Sequence, residues 1–191
     1  MTVDTKAEKR LKRTIAIVKA YPLVLLVIGI VMNLFIFGVN PVAVSLPSAE
    51  IIGALFIAAI LLTINHTWLM TTTALTRARF KIHSTPEEWS ASGTSPENVP
   101  KDGLIELERR HNAHRNTTEN TIYFILLALV LVLISPTASA TQVWIVGFAV
   151  SRLGYTYGYL AGKDGARYIF MSLSLLAMYG IASYLAISLV L

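Results

Sequence analysis

The sequence predicts an all-α integral membrane protein with five membrane-spanning helices. Of its 191 residues 54% are hydrophobic and 14% charged, and the mean hydropathy is +0.61. Soluble domains carry about 25% charged residues. Five apolar stretches each approach the roughly 20 residues that a helix needs to cross a bilayer. The basic residues flank these stretches and do not cover a polar surface. Despite the net charge of +5, this excludes nucleic acid as a partner.

The apolar stretches also set the order of the elements. We place the spans at about residues 15–39, 51–75, 104–134, 141–160 and 169–191. The first span follows a basic segment, residues 1–14, as a signal peptide would. Its apolar stretch is longer than the roughly 7–15 residues of a signal-peptide core, so we predict a retained additional helix. Residues 77–103 read as a loop that contains a short helix beginning at Pro86.

The orientation follows from the positions of the 16 lysine and arginine residues. If five spans alternate, all 16 fall on one side of the membrane, and the connections 40–50 and 135–140 contain none. The positive-inside rule then places the amino terminus in the cytoplasm and the carboxyl terminus on the opposite side. The retained first helix and the absence of an endoplasmic-reticulum retention signal favour a bacterial inner membrane over the endoplasmic reticulum.

Polar side chains inside the third span gather on one face near its cytoplasmic end. Asn112, Asn116 and Glu119 share this face at helical spacing, and Arg115 lies four residues before Glu119. A carboxylate this deep in a span is costly unless it is paired. Glu119 therefore either lines a binding pocket or neutralises Arg115 or Arg152 within the bundle.

The fourth span carries a similar polar face. Arg152, Tyr155 and Tyr159 follow one another at steps of three and four residues. Gly154 and Gly158 are four apart, a spacing that predicts close packing against a neighbouring helix. Four further residues fit anchoring at the membrane interface: Arg109, Arg110, Trp144 and Lys163.

Neither a metal nor a protein thiol is predicted to contribute chemistry. The chain contains no cysteine, which excludes disulfides and thiolate metal ligands. His111 and His114 are three residues apart, but no carboxylate at ligand spacing completes a metal site. Any reactive thiol must therefore come from a substrate or a cofactor.

Three motifs together resemble one known family. The segment from Glu108 to Asn120, with its core Ala-His-Arg-Asn-Thr-Thr-Glu, resembles the signature of the MAPEG family, the membrane-associated proteins in eicosanoid and glutathione metabolism. The segments that begin at Arg77 and Pro86 resemble the first cytoplasmic loop of its prostaglandin-E synthases. The pattern of arginine and tyrosines in the fourth span, followed by Arg167, resembles the family's glutathione-binding pattern. The resemblance covers about residues 51–191, which are four of the five spans.

The resemblance implies a four-helix subunit, preceded here by one extra transmembrane helix, in a homotrimer that binds glutathione between subunits. It implies a transferase or peroxidase that acts on lipophilic electrophiles, as microsomal glutathione transferases do in detoxification. Arg167 and Arg77 would be catalytic, and Arg167 matches the arginine that stabilises the thiolate. Asn112 stands where other members carry a cofactor-binding arginine. The implied cofactor-binding residues are Asn112, Arg115, Asn116, Glu119, Arg152, Tyr155 and Tyr159.

Several alternatives remain open at this stage. The thiol could be glutathione or another low-molecular-weight thiol. The chain could also be a non-catalytic membrane subunit of a larger complex, because a fold does not dictate a function. The extra helix, residues 15–39, fits a peripheral anchor, a helix that binds a membrane partner, or a cover for the lipid-side entrance. A transporter is disfavoured, because the polar groups cluster at one end and no half of the chain is repeated.

Overall fold

The structure is a computed structural model that describes the chain from residue 2 and its side chains from residue 7. Within this part of the chain all the regular structure is helical. A π-helical turn, Asn33–Phe37, extends the first helix, and another, Gln142–Val146, joins the fifth helix to the sixth. The seven α-helices are α1 (Thr2–Met32), α2 (Ala49–Phe80), α3 (Pro86–Ser92), α4 (Lys101–Leu133), α5 (Ala138–Thr141), α6 (Gly147–Leu160) and α7 (Asp164–Ser188).

The predicted all-α membrane architecture is confirmed. Within the described residues, four helices are long and apolar enough to cross a membrane: Ala7–Phe37, Ala49–Phe80, Lys101–Leu133 and Asp164–Ser188. The fourth predicted span corresponds to the continuous helical run 138–160, which is roughly 34 Å long at the usual helical rise. This run contains Gln142, Arg152 and three tyrosines, and it is not among the four. The fifth membrane crossing therefore stays a prediction.

Several helices extend beyond the apolar stretches that predicted them. α1 is helical from Thr2, and α2 continues through Arg77 to Phe80. Apolarity marks only the part of a helix inside the membrane, whereas backbone hydrogen bonding continues through polar residues until a capping geometry ends it. Lys81 supplies such a cap to α2 in the left-handed conformation, with φ 54°. The short helix predicted at Pro86 is present as α3, capped by the Thr85 hydroxyl.

Close packing of α6 against α7 positions the start of α7. A Cβ atom added at Gly158 would lie 2.6 Å from the backbone nitrogen of Arg167, and one at Gly154 would overlap the ring of Phe170. The predicted close contact at these two glycines is therefore confirmed. Between α4 and α6, the rings of Phe124 and Phe148 stack with centroids 3.9 Å apart. Close packing therefore holds α6 against the start of α7 and α6 against α4 in the core.

The extra helix α1 docks on α7 through a buried polar contact. Gly29 approaches Gly180 so closely that an added Cβ would lie 3.2 Å from the Gly180 Cα. The Asn33 side chain is fully buried, and its Nδ2 donates to the Gly180 carbonyl at 2.8 Å and to Ser183 Oγ at 2.9 Å. Trp144 Nε1 donates to Asn33 Oδ1 at 2.9 Å. We call Asn33, Trp144, Gly180 and Ser183 the Asn33 cluster.

Trp144 therefore differs from its interpretation as an interface anchor. Its side chain is 2% exposed, and its ring packs edge-on against Phe37 with centroids 5.3 Å apart. An indole requires one hydrogen-bond acceptor, which an interface normally supplies. Asn33 supplies that acceptor inside the bundle, which makes burial of the indole possible.

The linker between α1 and α2 closes the end of the bundle that carries no basic residues. The Tyr184 hydroxyl accepts the backbone N–H groups of Asn40 at 3.1 Å and Thr137 at 3.0 Å. Ser188 Oγ donates to the Asn40 carbonyl at 2.7 Å. Residues later in α1 and its linker contact residues later in α7, from Gly29 at Gly180 to Asn40 at Ser188. The two helices α1 and α7 therefore run parallel.

Candidate functional site

A buried arginine organises the polar residues between α4, α6 and α7. Arg152 is fully buried, and its Nη2 donates to Asn116 Oδ1 at 3.0 Å and Thr117 Oγ1 at 2.8 Å. Nη1 points to Ser174 Oγ at 3.4 Å. The guanidinium carbon lies 4.2 Å from the centroid of the Tyr155 ring, in cation–π geometry. We call Arg152, Asn116, Thr117, Tyr155 and Ser174 the Arg152 cluster.

The groups in contact with the charged Arg152 side chain are all neutral. None of the ion pairs among the described side chains involves Arg152 or Glu119. The Nε atom of Arg152 is buried and has no hydrogen-bond partner there. Burying a cation without an acid is expensive, so its cost is offset only by hydrogen bonds and the Tyr155 ring. In the described residues Glu119 therefore does not neutralise Arg152.

A polar cavity of about 350 Å³ opens next to this cluster. It brings together three residues predicted from the sequence: Asn112, Tyr159 and Arg167. The Arg167 guanidinium lies 5.1 Å from the Tyr159 ring centroid, and the Tyr159 ring lies 5.5 Å from that of Tyr155. We call this space the Arg167 cavity, and Tyr155 connects it to the Arg152 cluster. The remaining wall consists of Ile105, Glu108, Arg109, Gly162 and Asp164.

Two contacts orient Arg167 and leave part of it accessible. Its Nη2 lies 3.3 Å from Asp164 Oδ1 and 3.0 Å from the Tyr168 hydroxyl. The Arg167 side chain keeps 27% of its exposure. A guanidinium carries five N–H donors in a fixed fork, so donors remain for an anionic group in the cavity. The arrangement can hold a carboxylate or a thiolate.

Arg115 and Glu119 lie outside this cavity, on the exposed face of α4. Arg115 Nη2 donates to Asn112 Oδ1, which links it to the wall of the Arg167 cavity. Glu119 is exposed one turn farther along, and Tyr123 beyond it is 65% exposed. An unpaired carboxylate on the surface of a membrane span is costly. This face of α4 therefore exposes a carboxylate that has no ion-pair partner among the described side chains.

Arg77 lies on the opposite side of α4 from Arg167. It lines a separate cavity of about 760 Å³ together with His111 and His114, and we call this space the Arg77 cavity. Arg77 Nη2 lies 3.4 Å from His111 Nε2, and its Nη1 donates to Ser84 Oγ. The residues predicted to form one site are therefore divided, in a single chain, between two separate cavities, the Arg152 cluster and the exposed face of α4.

Some polar residues of the region were not predicted from the sequence. Thr117 and Ser174 contact Arg152, yet the helical-face argument selected neither of them. His114 Nε2 lies 3.3 Å from His66 Nδ1, between the Arg77 cavity and an apolar cavity of about 730 Å³. Among the described side chains, no three His, Asp or Glu residues are arranged to hold a metal ion.

Comparison with known proteins supports the motif resemblance. No curated protein matches the chain significantly. The model of the MAPEG family matches residues 55–187, from the second turn of α2 to the last turn of α7. The match includes every candidate site residue and leaves α1 outside. On this match over most of its length, the chain belongs to the MAPEG family.

Proposed function

We propose that the protein is a membrane-bound, glutathione-dependent transferase, with peroxidase activity, that acts on lipophilic electrophiles. The observation that carries the proposal is the Arg167 cavity, where an accessible guanidinium meets Tyr159 and Asn112 at one end of an apolar bundle. Family membership supports the same chemistry. A polar cavity at the membrane surface allows a water-soluble thiol to meet an electrophile dissolved in the bilayer.

Arg167 stabilises the thiolate of the bound cofactor. A free thiol has a pKa near about 8.5 and is mostly protonated at neutral pH, and a nearby guanidinium lowers that pKa. When bound, the thiol would supply the nucleophile that displaces a leaving group from an electrophilic carbon, or the two-electron reductant for a hydroperoxide. Arg167 would hold the sulfur as the thiolate.

The other candidate residues bind and position the cofactor. Glu119 accepts its ammonium group, and Arg115 with Asn112 and Tyr159 holds its carboxylates and amides. Arg152 has no exposed surface, so we assign it an indirect role: it orients Asn116 and Tyr155, which contact the cofactor.

The site is completed by neighbouring copies in a homotrimer. Arg115 and Glu119 are exposed, and Arg77 lies across α4 from Arg167 in the same chain. A second copy packed on this face of α4 would bring its Arg77 cavity opposite the Arg167 cavity and enclose the cofactor. The basic end, including the amino terminus, faces the cytoplasm, and a bacterial inner membrane fits best. Membrane lipids surround the outer helices.

Equilibrium binding of glutathione to the full chain in detergent tests the cofactor assignment. We expect binding with the ultraviolet absorbance of a thiolate at neutral pH. Glu119→Gln removes a charge-assisted hydrogen bond and should weaken affinity by about tenfold. Glu97→Gln, an exposed change in the loop after α3, is the matched control. Unchanged affinity in a folded Glu119→Gln trimer would contradict the assignment.

The catalytic role of Arg167 is tested with an activated aryl chloride as the electrophile. Arg167→Ala should lower kcat by about 100-fold and abolish the thiolate absorbance, with a smaller effect on affinity. Arg167→Lys should restore part of the absorbance, because it returns the charge without the fork. Equal turnover by Arg167→Ala and the unmodified chain would exclude the mechanism.

A non-catalytic membrane subunit is the second candidate function. The observation that favours it is α1, which lies outside the family match and exposes apolar side chains such as Val27, Val31 and Phe35. A partner could pack on this surface. If the folded chain binds neither glutathione nor another low-molecular-weight thiol, this candidate replaces the enzyme.

A further inference from the structure

The first turns of α1 with described side chains are exposed. Every residue from Ala7 to Ala20 is exposed, and the first buried residue among the described side chains of the helix is Leu25. α1 runs parallel to α7 with Gly29 at Gly180. Counting back equally along both helices places Arg13 roughly level with the first residue of α7. Residues 7–13 therefore extend beyond the start of α7, and we call residues 7–20 the free segment.

The free segment is amphipathic and basic. Leu11, Ile15 and Val18 form an apolar stripe at steps of four and three residues, and all three are exposed. Lys9 and Arg13 lie on the opposite side of the helix, four residues apart. Four basic residues stand against one acidic residue over residues 7–14, a net charge of +3.

Only one of these charges is paired within the segment. Lys12 Nζ lies 2.6 Å from Glu8 Oε1. Lys9, Arg10 and Arg13 make no ion pair with any described carboxylate. Three cationic side chains therefore have no ion-pair partner in the described part of the chain.

The length of α1 determines what those surroundings are. From residue 2 to the end of its π-turn at Phe37 the helix is roughly 54 Å long, whereas a bilayer with its headgroups spans about 40–45 Å. With the hydrocarbon core of about 30 Å measured back from Gly38, the core ends near Val18. Arg13 then lies at the outer edge of the headgroup layer, and Lys9 and Arg10 lie about one turn beyond it, where their long side chains can reach back to the headgroups.

We propose that the free segment binds the anionic phospholipid headgroups of the leaflet at the basic end of the bundle. The cationic side chains hold phosphate oxygens, and the two arginines can do so with two parallel hydrogen bonds. Val18 lies at the edge of the hydrocarbon core, and the apolar stripe continues outward from it through Ile15 to Leu11. An acidic protein is a less suitable partner. The same helix carries both the basic side chains and an apolar stripe that is continuous with its membrane span, and a lipid surface contacts both. This inference does not depend on the proposed function.

The absence of native cysteine allows a direct test with the full chain. Ala7→Cys introduces a single attachment site for a fluorescent donor at the start of the free segment. The labelled protein is reconstituted into vesicles of phosphatidylcholine with a minor fraction of phosphatidylglycerol. Trace acceptor dye is attached to either one lipid or the other. Energy transfer then reports which lipid accumulates beside the segment.

We expect at least about twofold more transfer to phosphatidylglycerol than to phosphatidylcholine, lost at about 1 M salt. Neutralising Lys9, Arg10 and Arg13 to glutamine should abolish the excess. The matched control neutralises the same number of charges outside the segment: Arg79, Lys81 and Lys101. Equal transfer to both lipids would overturn the proposal and favour an acidic partner protein. A triple variant of the segment that keeps the excess would also overturn it.

Discussion

The two buried polar clusters of the bundle differ in charge and in how completely they are satisfied. In the Asn33 cluster, the amide of Asn33 uses both its oxygen and its nitrogen, and all partners are neutral. The Arg152 cluster contains a full positive charge, and Arg152 Nε has no partner in the described part of the chain. A closed neutral network stabilises helix packing at little electrostatic cost. A charged, incompletely satisfied network persists where function requires it.

This difference predicts two roles: residues of the Asn33 cluster stabilise the bundle, and residues of the Arg152 cluster support thiol binding. Removing a member of the Asn33 cluster should lower stability and leave thiol binding unchanged. Removing Arg152 should affect thiol binding more than stability, because loss of a buried charge also relieves its desolvation cost. Stability and binding must therefore be measured on the same variants.

The largest effect is expected from Arg152→Leu. It leaves Asn116 and Thr117 without their donor and removes the guanidinium from the Tyr155 ring. We expect glutathione affinity to fall by about 100-fold, equivalent to the loss of one or two charge-assisted hydrogen bonds. Titration calorimetry and unfolding in mixed micelles measure the two quantities. Unchanged affinity would place Arg152 with the structural residues. Ser174→Ala is the control, because it removes only the 3.4 Å contact to Arg152 and a bond within α7 to the Met171 carbonyl.

The second-largest effect is expected from Gly180→Ala, which tests how closely the Asn33 cluster is packed. An added Cβ would lie 2.5 Å from the indole of Trp144. Overpacking at such a contact should destabilise the bundle by about 2 kcal/mol. Gly147→Ala is the matched control, because nothing lies within 4 Å of its added Cβ. Unfolding in mixed micelles should separate the two variants, and equal stability would show that α7 can shift at this point.

The smallest effect is expected from Trp144→Phe, which keeps most of the apolar contact and removes one donor. Asn33 Oδ1 then loses its partner. We expect a loss of about 1 kcal/mol in unfolding free energy and no change in glutathione affinity. A tenfold loss of glutathione affinity would contradict the distinction between the two clusters, because it would show that Trp144 contributes to the binding site.

Much of the architecture could be predicted because the membrane requires it. Apolar length located the four long helices, and the spacing of Gly154 and Gly158 predicted the close approach of α6 to α7. The helix ends could not be predicted, since polar turns continue a helix without any apolar signal. Arg77 and Arg167 were placed in one predicted site, but a sequence does not show on which side of α4 each residue lies. Both remain candidates for the site in the proposed trimer.

Asn33 was the clearest signal that the sequence analysis passed over. A lone asparagine in an apolar span is costly unless it finds a partner, so it indicates a helix contact. Its partners could not be identified, because Trp144 read as an interface residue and Gly180 and Ser183 carried no polar pattern. Identifying them required the parallel arrangement of α1 and α7, which only tertiary structure gives.

That arrangement has a consequence for how the chain is made. α1 leaves the ribosome before α7, yet Asn33 bonds to Gly180, a residue 147 positions later. During synthesis the Asn33 amide therefore remains in the bilayer without its permanent partners until the last helix is inserted. Long-range contacts of this kind delay completion of a fold. A nascent or truncated chain that lacks α7 exposes this amide, a mark by which membrane quality control can distinguish it from a finished chain.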